Sequence, residues 1–483
     1  MLDLSRLSEA QRQAATAPDG PLLVIAGPGS GKTTVLAARI AHLVLMRHVS
    51  PATILAVAFT RAAAAALRQR LTGMLRDQAQ EVDVSTFHSL CLRIVRLWWE
   101  ELGFAHDGLT VYTEAEQRTE IERLAMELKL PTGLDGEDLL RAVDRFRLDG
   151  ESPGSPAVAE VARRYEALLR RRAVVDFTAM LALPLRLFAE REDALRVQQD
   201  AYRHVLADEF QDLSLSQYTL LRRLAEPHHN LALVGDPAQS LYRWLGAGRH
   251  VLEAFERDFP QRHTIRLDES YRSTERILAI TNALGREVTG GRELHTDNPA
   301  GQAPLVFVAS DEQDEARFVT TEIRRLLRES FTVDAIAVLY RTNLQAEPIG
   351  LAMRAAGIPC RVQARVDLEE ICRDETAAND TPEDAGPAVT LATIHQSKGC
   401  EWRAVFVIGL EDGLLPNVRT LRQTEQDEAL REEQRLAYVA VARARERLYL
   451  TYCRHRTIGG EALSRVPSRF LRNLPRGLLR PAA

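Results

Sequence analysis

The chain has 483 residues, 45% of them hydrophobic and 27% charged, a globular composition with room for about three or four domain-sized units. Its 62 basic and 67 acidic residues give a net charge of −5, which excludes a wholly basic nucleic-acid coat but not a local basic groove. No run reaches the roughly 18 apolar residues of a membrane span, the start Met1-Leu2-Asp3-Leu4 carries no secretory signal, and five scattered cysteines form no Cys-x-x-Cys pair, so a reducing cytoplasm without structural zinc is expected.

Only three lysines occur, Lys32, Lys129 and Lys398, and arginine supplies the other cations. The first lies at the end of the most informative stretch. Residues 22–26 form a short apolar run, followed by Gly27-Pro28-Gly29-Ser30-Gly31-Lys32-Thr33-Thr34 and a helical apolar pattern at Val35, Leu36 and Ile40. Strand, glycine-rich loop and helix in this order surround phosphates with backbone N–H groups and a helix N-terminus. Lys32 would reach the β/γ-phosphates and the Thr33 hydroxyl would hold Mg²⁺. Ala26 fills the first glycine position of the strict pattern. Upstream, Gln11 offers an amide that could read a base edge.

Residues 54–59 read as a second buried strand, 61–70 as an alanine-rich helix, and 82–85 as a third strand leading to Thr86-Phe87-His88-Ser89. Strands alternating with helices predict a parallel α/β sheet. From about 91 to 200 the pattern changes to long amphipathic helices, including 114–130 and 157–172, broken by a Gly/Ser/Pro loop at 150–156. This is a helical insertion with no evident chemistry of its own.

The sheet resumes at 204–207 and runs into Asp208-Glu209-Phe210-Gln211-Asp212. Two acids at the tip of a buried strand are the partners a phosphate loop needs: Asp208 binds Mg²⁺ through water, and Glu209 orients and deprotonates the attacking water. A further strand at 231–234 precedes Gly235-Asp236-Pro237-Ala238-Gln239, where the Gln239 amide can sense a γ-phosphate. Tyr242 and Trp244 follow beside Arg243, rings suited to stacking bases.

A second α/β unit is expected from about 264–267, with strands at 305–308, 336–340, 389–393, 405–408 and 448–452 and no phosphate loop. It carries Tyr271-Arg272-Ser273, the stretch 393–402 and the segment 432–445. One sheet with a phosphate loop and another with arginines suggest ATP in the cleft between them, where a guanidinium is worth about 10³–10⁵ in rate.

These motifs, in this order from Leu7 to about Leu474, resemble the UvrD/Rep/PcrA group of superfamily 1 DNA helicases. The resemblance implies two RecA-like parallel-sheet domains around an ATP cleft, a helical 1B insertion, and ATP-driven 3′→5′ movement on single-stranded DNA or at single-strand/duplex junctions. It implies domain limits of 1–90 and 201–262 for the first unit, 91–200 for the insertion and 263–483 for the second unit. In its terms Gln11 and Tyr271 meet adenine, Ala26–Thr33 with Thr34 form the phosphate loop, Glu401 meets the ribose, and Arg272 and Arg443 reach the γ-phosphate. Phe59, Thr60, Thr86, Phe87, His88, Tyr242, Trp244, His395 and Lys398 correspond to positions that face DNA.

Departures are equally visible. Where the family carries a large 2B domain, only a short acidic Pro/Gly-containing segment, 366–388, intervenes here, and it reads as a linker. Ala62 and Leu245 stand where the family usually has lysine and arginine, and Thr34 where it commonly has arginine. The leading expectation is a DNA-stimulated ATPase and translocase, monomeric in isolation. The alternatives are a nucleotide-switched single-strand-binding module and a P-loop kinase indifferent to DNA.

Overall fold

The computed structural model describes residues 4–129, 134–149, 155–241, 249–363, 386–418, 426–458 and 461–482. Tyr242, Trp244, Leu245 and nearly all of the expected linker at 366–388 lie outside the described residues.

The apolar runs become two parallel sheets. In the first, β1 (Leu22–Ala26), β2 (Ile54–Ala58), β3 (Asp83–Thr86), β4 (His204–Ala207), β5 (Leu231–Gly235) and β6 (His263–Leu267) lie in the order β3-β2-β4-β5-β1-β6. All of its pairings are parallel. Strands covered on both faces should be continuously apolar, and β2, β4 and β5 are buried at every position. One expectation is corrected here. The segment 264–267, expected to open the second unit, pairs with β1 instead, Leu22 opposite His263 through Ala26 opposite Leu267. Its residues are largely exposed along the strand, as an edge position allows.

Around this sheet pack α1 (Glu9–Thr16), α2 (Lys32–Leu45) and α3 (Arg61–Leu75). Between β3 and β4 the helical insertion is built from α4 (Phe87–Leu97), α5 (Glu114–Glu127), α6 (Gly136–Asp149), α7 (Pro156–Arg172), α8 (Phe177–Glu190) and α9 (Glu192–Ala201). Its centre is polar as well as apolar. Arg147, with a side chain 1% exposed, donates to both oxygens of the buried Asp176 at 2.7 and 3.0 Å, while Asp176 caps α8 through the Ala179 N–H. Helices α10 (Leu215–Ala225) and α11 (Arg249–Asp258) complete the first half.

The second sheet contains β7 (Leu305–Ala309), β8 (Ile336–Tyr340), β9 (Cys360–Val362), β10 (Val389–Thr393), β11 (Trp402–Val407), β12 (Ala444–Cys453) and β13 (Arg480–Pro481). Their order is β9-β10-β8-β11-β12-β7-β13, again parallel throughout. The two short edge strands β9 and β13 were not evident from periodicity. Helices α12 (Glu275–Gly285), α13 (Glu312–Arg328), α14 (Ala346–Ala355) and α15 (Gln426–Val441) cover it. Two RecA-like parallel sheets with a helical insertion in the first are the architecture expected. Among the described residues no helix is long and apolar enough to cross a membrane.

Candidate nucleotide site and nucleic-acid face

The phosphate loop lies between β1 and α2, and its glycines have specific tasks. Gly29 and Gly31 hold φ of 76° and 80°, a region that side chains disfavour. A Cβ on Gly27 would come within 2.4 Å of Leu294, and one on Gly29 within 2.5 Å of the Arg272 Cβ. The loop is therefore packed directly under the segment that follows β6. Ser270 Oγ donates to the Pro28 carbonyl at 3.1 Å, the Tyr271 N–H to the Gly29 carbonyl at 2.9 Å, and the Gly27 N–H to the Leu267 carbonyl at 3.2 Å. Lys32 and Thr33 open α2, whose first-turn N–H groups point at whatever the loop holds.

Four further motifs stand at the carboxyl ends of neighbouring strands, where open parallel sheets bind ligands. Asp208 follows β4 and is 6% exposed. Burial and the adjacent Glu209 carboxylate push its pKa up to about 7, against the pull of Lys32. Glu209 adopts φ 53°, uncommon for a non-glycine residue and typical of functional turns. Burial opposes its ionisation, but Lys32, Lys398, the Gln211 amide and Arg443 outweigh that, and its carboxyl is held below the ordinary range. The Thr33 hydroxyl and the Asp208 carboxylate are hard oxygen donors of the kind Mg²⁺ takes, and a buried carboxylate beside a second one suits a divalent cation.

After β5, Asp236 is 1% exposed and accepts the Gln239 Nε2 at 2.7 Å. Gln211 ties this turn to the acidic one: its Oε1 accepts the Asp236 N–H at 2.9 Å, and its carbonyl accepts Ser240 Oγ at 3.1 Å. Sequence reasoning assigned no role to Gln211, Asp212, Asp236, Ser270 or Leu294. The first three sit inside quoted motifs and could have been found there. Nothing in the sequence marks Leu294.

Two arginines reach the same place, Arg443 from the turn before β12 in the second sheet and Arg272 from the segment that follows β6. Arg443, at the end of α15, is 2% exposed and donates Nη2 to Gln239 Oε1 at 2.7 Å, Nη1 to the Cys400 carbonyl at 3.2 Å and Nε to the Val439 carbonyl at 3.1 Å. All three acceptors are neutral. Burial first, and then the Arg272 guanidinium, lower its pKa to about 10, while Glu209 attracts it. Arg272 donates Nη1 to the Ala442 carbonyl at 3.1 Å, and its Nε lies 2.6 Å from Glu401 Oε2.

Several expected roles are placed differently. Glu401, expected at the ribose, forms ion pairs with Arg272 and, at 3.4 Å, with Arg445. Lys398, expected to face DNA, donates Nζ to Asp212 Oδ1 at 2.5 Å and to the Gln239 carbonyl at 2.8 Å, because a buried carboxylate in the facing sheet draws it in. Phe87, also expected at DNA, is 4% exposed and belongs to the core, since α4 turns its apolar face inward. His88 meets Phe177 edge-on at 5.5 Å, and burial pulls its pKa down to about 4, so it is neutral. His395 is lowered to about 4 for the same reason. Thr60 and Thr86 cap α3 and α4, and Phe59 is half-buried at the tip of β2. Tyr271 keeps an exposed ring, 44% accessible, with its hydroxyl donating to Glu269 at 2.6 Å.

A phosphate loop, a paired-acid turn, a buried glutamine after β5, Arg272 from the segment after β6 and Arg443 from the second half are the parts of an ATP-hydrolysing enzyme of the helicase class. The chain belongs to the UvrD/REP helicase family. The family's N-terminal domain matches residues 7–260, and the UvrD-like helicase C-terminal domain matches in two parts, 265–368 and 362–455. Similar proteins include an ATP-dependent DNA helicase PcrA from Leuconostoc citreum, 29% identical over 646 aligned positions that take in 99% of this chain and 86% of the relative. Proteins of the same name from Staphylococcus aureus (strain Mu50 / ATCC 700699) and Staphylococcus epidermidis are 26% identical, covering 99% of this chain and 87% of each relative. An alignment longer than this chain means that the relatives carry residues it lacks.

Proposed function

We propose that this protein is a DNA-stimulated ATPase that translocates 3′→5′ on single-stranded DNA and opens duplex at single-strand junctions. The observation that carries this reading is Arg443. It is a buried guanidinium, 2% exposed, bonded only to neutral acceptors and beside the Glu209 that would activate water. Such a cation is stabilised by an anion arriving in the cleft, and a transferring phosphoryl group fits.

Lys32 and the loop N–H groups bind the β/γ-phosphates, and Thr33 and Asp208 would hold Mg²⁺, which supplies charge neutralisation at the β- and γ-oxygens. Glu209, ionised, accepts the proton of the attacking water. Arg443 and Arg272 exchange Gln239 and Glu401 for the γ-phosphate, so closure of the cleft follows nucleotide state. The residues after β2 and β3 lie on the same strand-end face as the hydrolytic turn, which supports coupling of ATP to a nucleic-acid strand; Tyr242 and Trp244 are proposed to stack its bases. The segment 366–388 is proposed to be a linker in place of a 2B domain. The break of the family match at 362–368 and the surplus length of the relatives support that assignment.

The test is steady-state ATP hydrolysis with and without single-stranded DNA, with Lys32→Ala as control. Stimulation that disappears in the variant supports the reading. Hydrolysis indifferent to DNA removes the motor and leaves the nucleotide-switched binding module.

A further inference from the structure

We infer that Leu294 and Asn282 are positioning residues for hydrolysis, which together set the phosphate loop in register with Arg443. The inference goes beyond the proposed function but rests on its assignment of Arg443 to the γ-phosphate. The loop and the guanidinium belong to different halves of the molecule, and the reaction needs both at one phosphoryl group. A misplacement of about 1 Å between such groups can slow catalysis on the order of 100-fold.

Leu294 makes the contact on the side of the loop. It is 7% exposed, and its isopropyl group fills the space where a Cβ on Gly27 would stand, so the leucine rests directly on the loop backbone. Its own backbone is held from the other side by one amide. Asn282 Nδ2 donates to the Leu294 carbonyl at 2.8 Å, and the Leu294 N–H donates to Asn282 Oδ1 at 3.0 Å. A donor and an acceptor on one short side chain thus satisfy both polar groups of one residue and give it a single place. The following His295 donates its N–H to the Asp268 carbonyl at 3.0 Å and accepts the Ser270 N–H at 2.7 Å. That stitches Leu294 to the same segment after β6 whose Ser270 and Tyr271 bond to the loop.

Asn282 makes the contact on the side of the arginine. It lies on α12, whose Ile277, Ile280 and Leu284 share a core with Leu436, Tyr438 and Val439 of α15. The Tyr438 ring lies against Gly285, and Gln434 Nε2 donates to the Leu284 carbonyl at 3.0 Å. The Val439 carbonyl then accepts Arg443 Nε at 3.1 Å. One helix holds the amide that fixes Leu294 and the helix packed against it holds the guanidinium, so the loop and Arg443 are joined through close-packed groups that yield little.

The test measures single-turnover ATP hydrolysis and ADP affinity in the full chain for Leu294→Ala, Leu294→Met and Asn282→Leu, each alone and combined with Arg443→Ala. Leu294→Ala and Asn282→Leu should slow hydrolysis about 10- to 100-fold while ADP affinity changes less than about 3-fold. Leu294→Met keeps the apolar volume and should stay within about 3-fold of the unaltered chain. In the Arg443→Ala background the same two damaging substitutions should cost less than about 3-fold, because the group they align is gone. An equal loss with and without Arg443, an unchanged rate in Leu294→Ala, or an equal fall in ADP affinity overturns the inference. Should Leu294→Ala or Asn282→Leu fail to fold, Leu294→Val and Asn282→Asp, which keep part of each contact, run the same cycle. A rate untouched by Arg443→Ala alone would instead overturn the reading of that arginine on which the inference rests.

Discussion

Arg443 Nη2 donates to Gln239 Oε1 at 2.7 Å, joining residues 204 positions apart and belonging to different sheets. The bond spans the cleft, and each partner has a second anchor in its own half: Gln239 on Asp236, Arg443 on backbone carbonyls. Replacing Arg443 by alanine is expected to leave ATP binding close to unchanged and to slow hydrolysis by on the order of 10³. Single-turnover hydrolysis beside equilibrium nucleotide binding checks this, and an unaltered rate would remove Arg443 from the phosphoryl group.

Glu209 is kept ionised by Lys32 and Lys398 in spite of its burial. Glu209→Gln keeps size and hydrogen bonding but cannot accept a proton. Hydrolysis should fall by about 10²–10⁴ with little change in KM, which steady-state kinetics would show.

The Lys398–Asp212 ion pair ties the two halves together, with side chains 10% and 0% exposed. Asp212 is pushed up to about 6 by burial even with Lys398 opposing. In Lys398→Met that pKa rises further, and a buried charge is left unpaired at any pH above it. The loss of melting temperature should therefore be larger at pH 8 than at pH 5.5, corresponding to about 3–5 kcal/mol at the upper end. The double replacement Lys398→Met with Asp212→Leu should recover most of it, since no charge then remains buried.

Arg147 and Asp176 hold the helical insertion together from inside. Arg147→Met leaves Asp176 buried without a cation at a cost of about 3–5 kcal/mol, confined to the insertion. Limited proteolysis should cut between residues 91 and 200 while both sheets stay protected. Cleavage spread evenly along the chain would refute that confinement.

His204 begins β4 at 6% exposure, and burial lowers its pKa to about 4. The unfolded chain binds this proton near pH 6.5, the folded one only near pH 4. Its contribution to stability is complete above about pH 6.5 and is lost as pH falls through that window, on the order of 2–3 kcal/mol in all. His204→Leu should flatten the fall of melting temperature between pH 6.5 and 4 relative to the unaltered chain. His88 and His395 titrate in the same window and add to the fall, while the raised carboxyls of Asp144, Asp208 and Asp212 oppose it.

The sequence by itself determined the local devices. The phosphate loop, the acidic pair after β4 and the glutamine after β5 were legible because each is a strand tip followed within a few residues by its chemistry, and backbone geometry places such groups without distant help. Both parallel sheets and the helical insertion followed from apolar runs and helical spacing for the same reason. Tertiary structure alone decided what those groups touch. The strand 263–267 reads like any strand, and its place beside β1 depends on which sheet edge is open to it. Phe87 and His88 are adjacent in a motif, yet the orientation of α4 buries the phenyl ring and lays the imidazole against Phe177. Lys398 matched a DNA-facing position and Glu401 a ribose-facing one, but a buried carboxylate and a pair of arginines claimed them. Gln11 matched a base-reading position, and packing adds a bond from its amide to the Ser30 carbonyl, 19 residues away. In each case a polar group in a low-dielectric cleft must find a partner, and which partner is near is set by packing between elements that the sequence does not order.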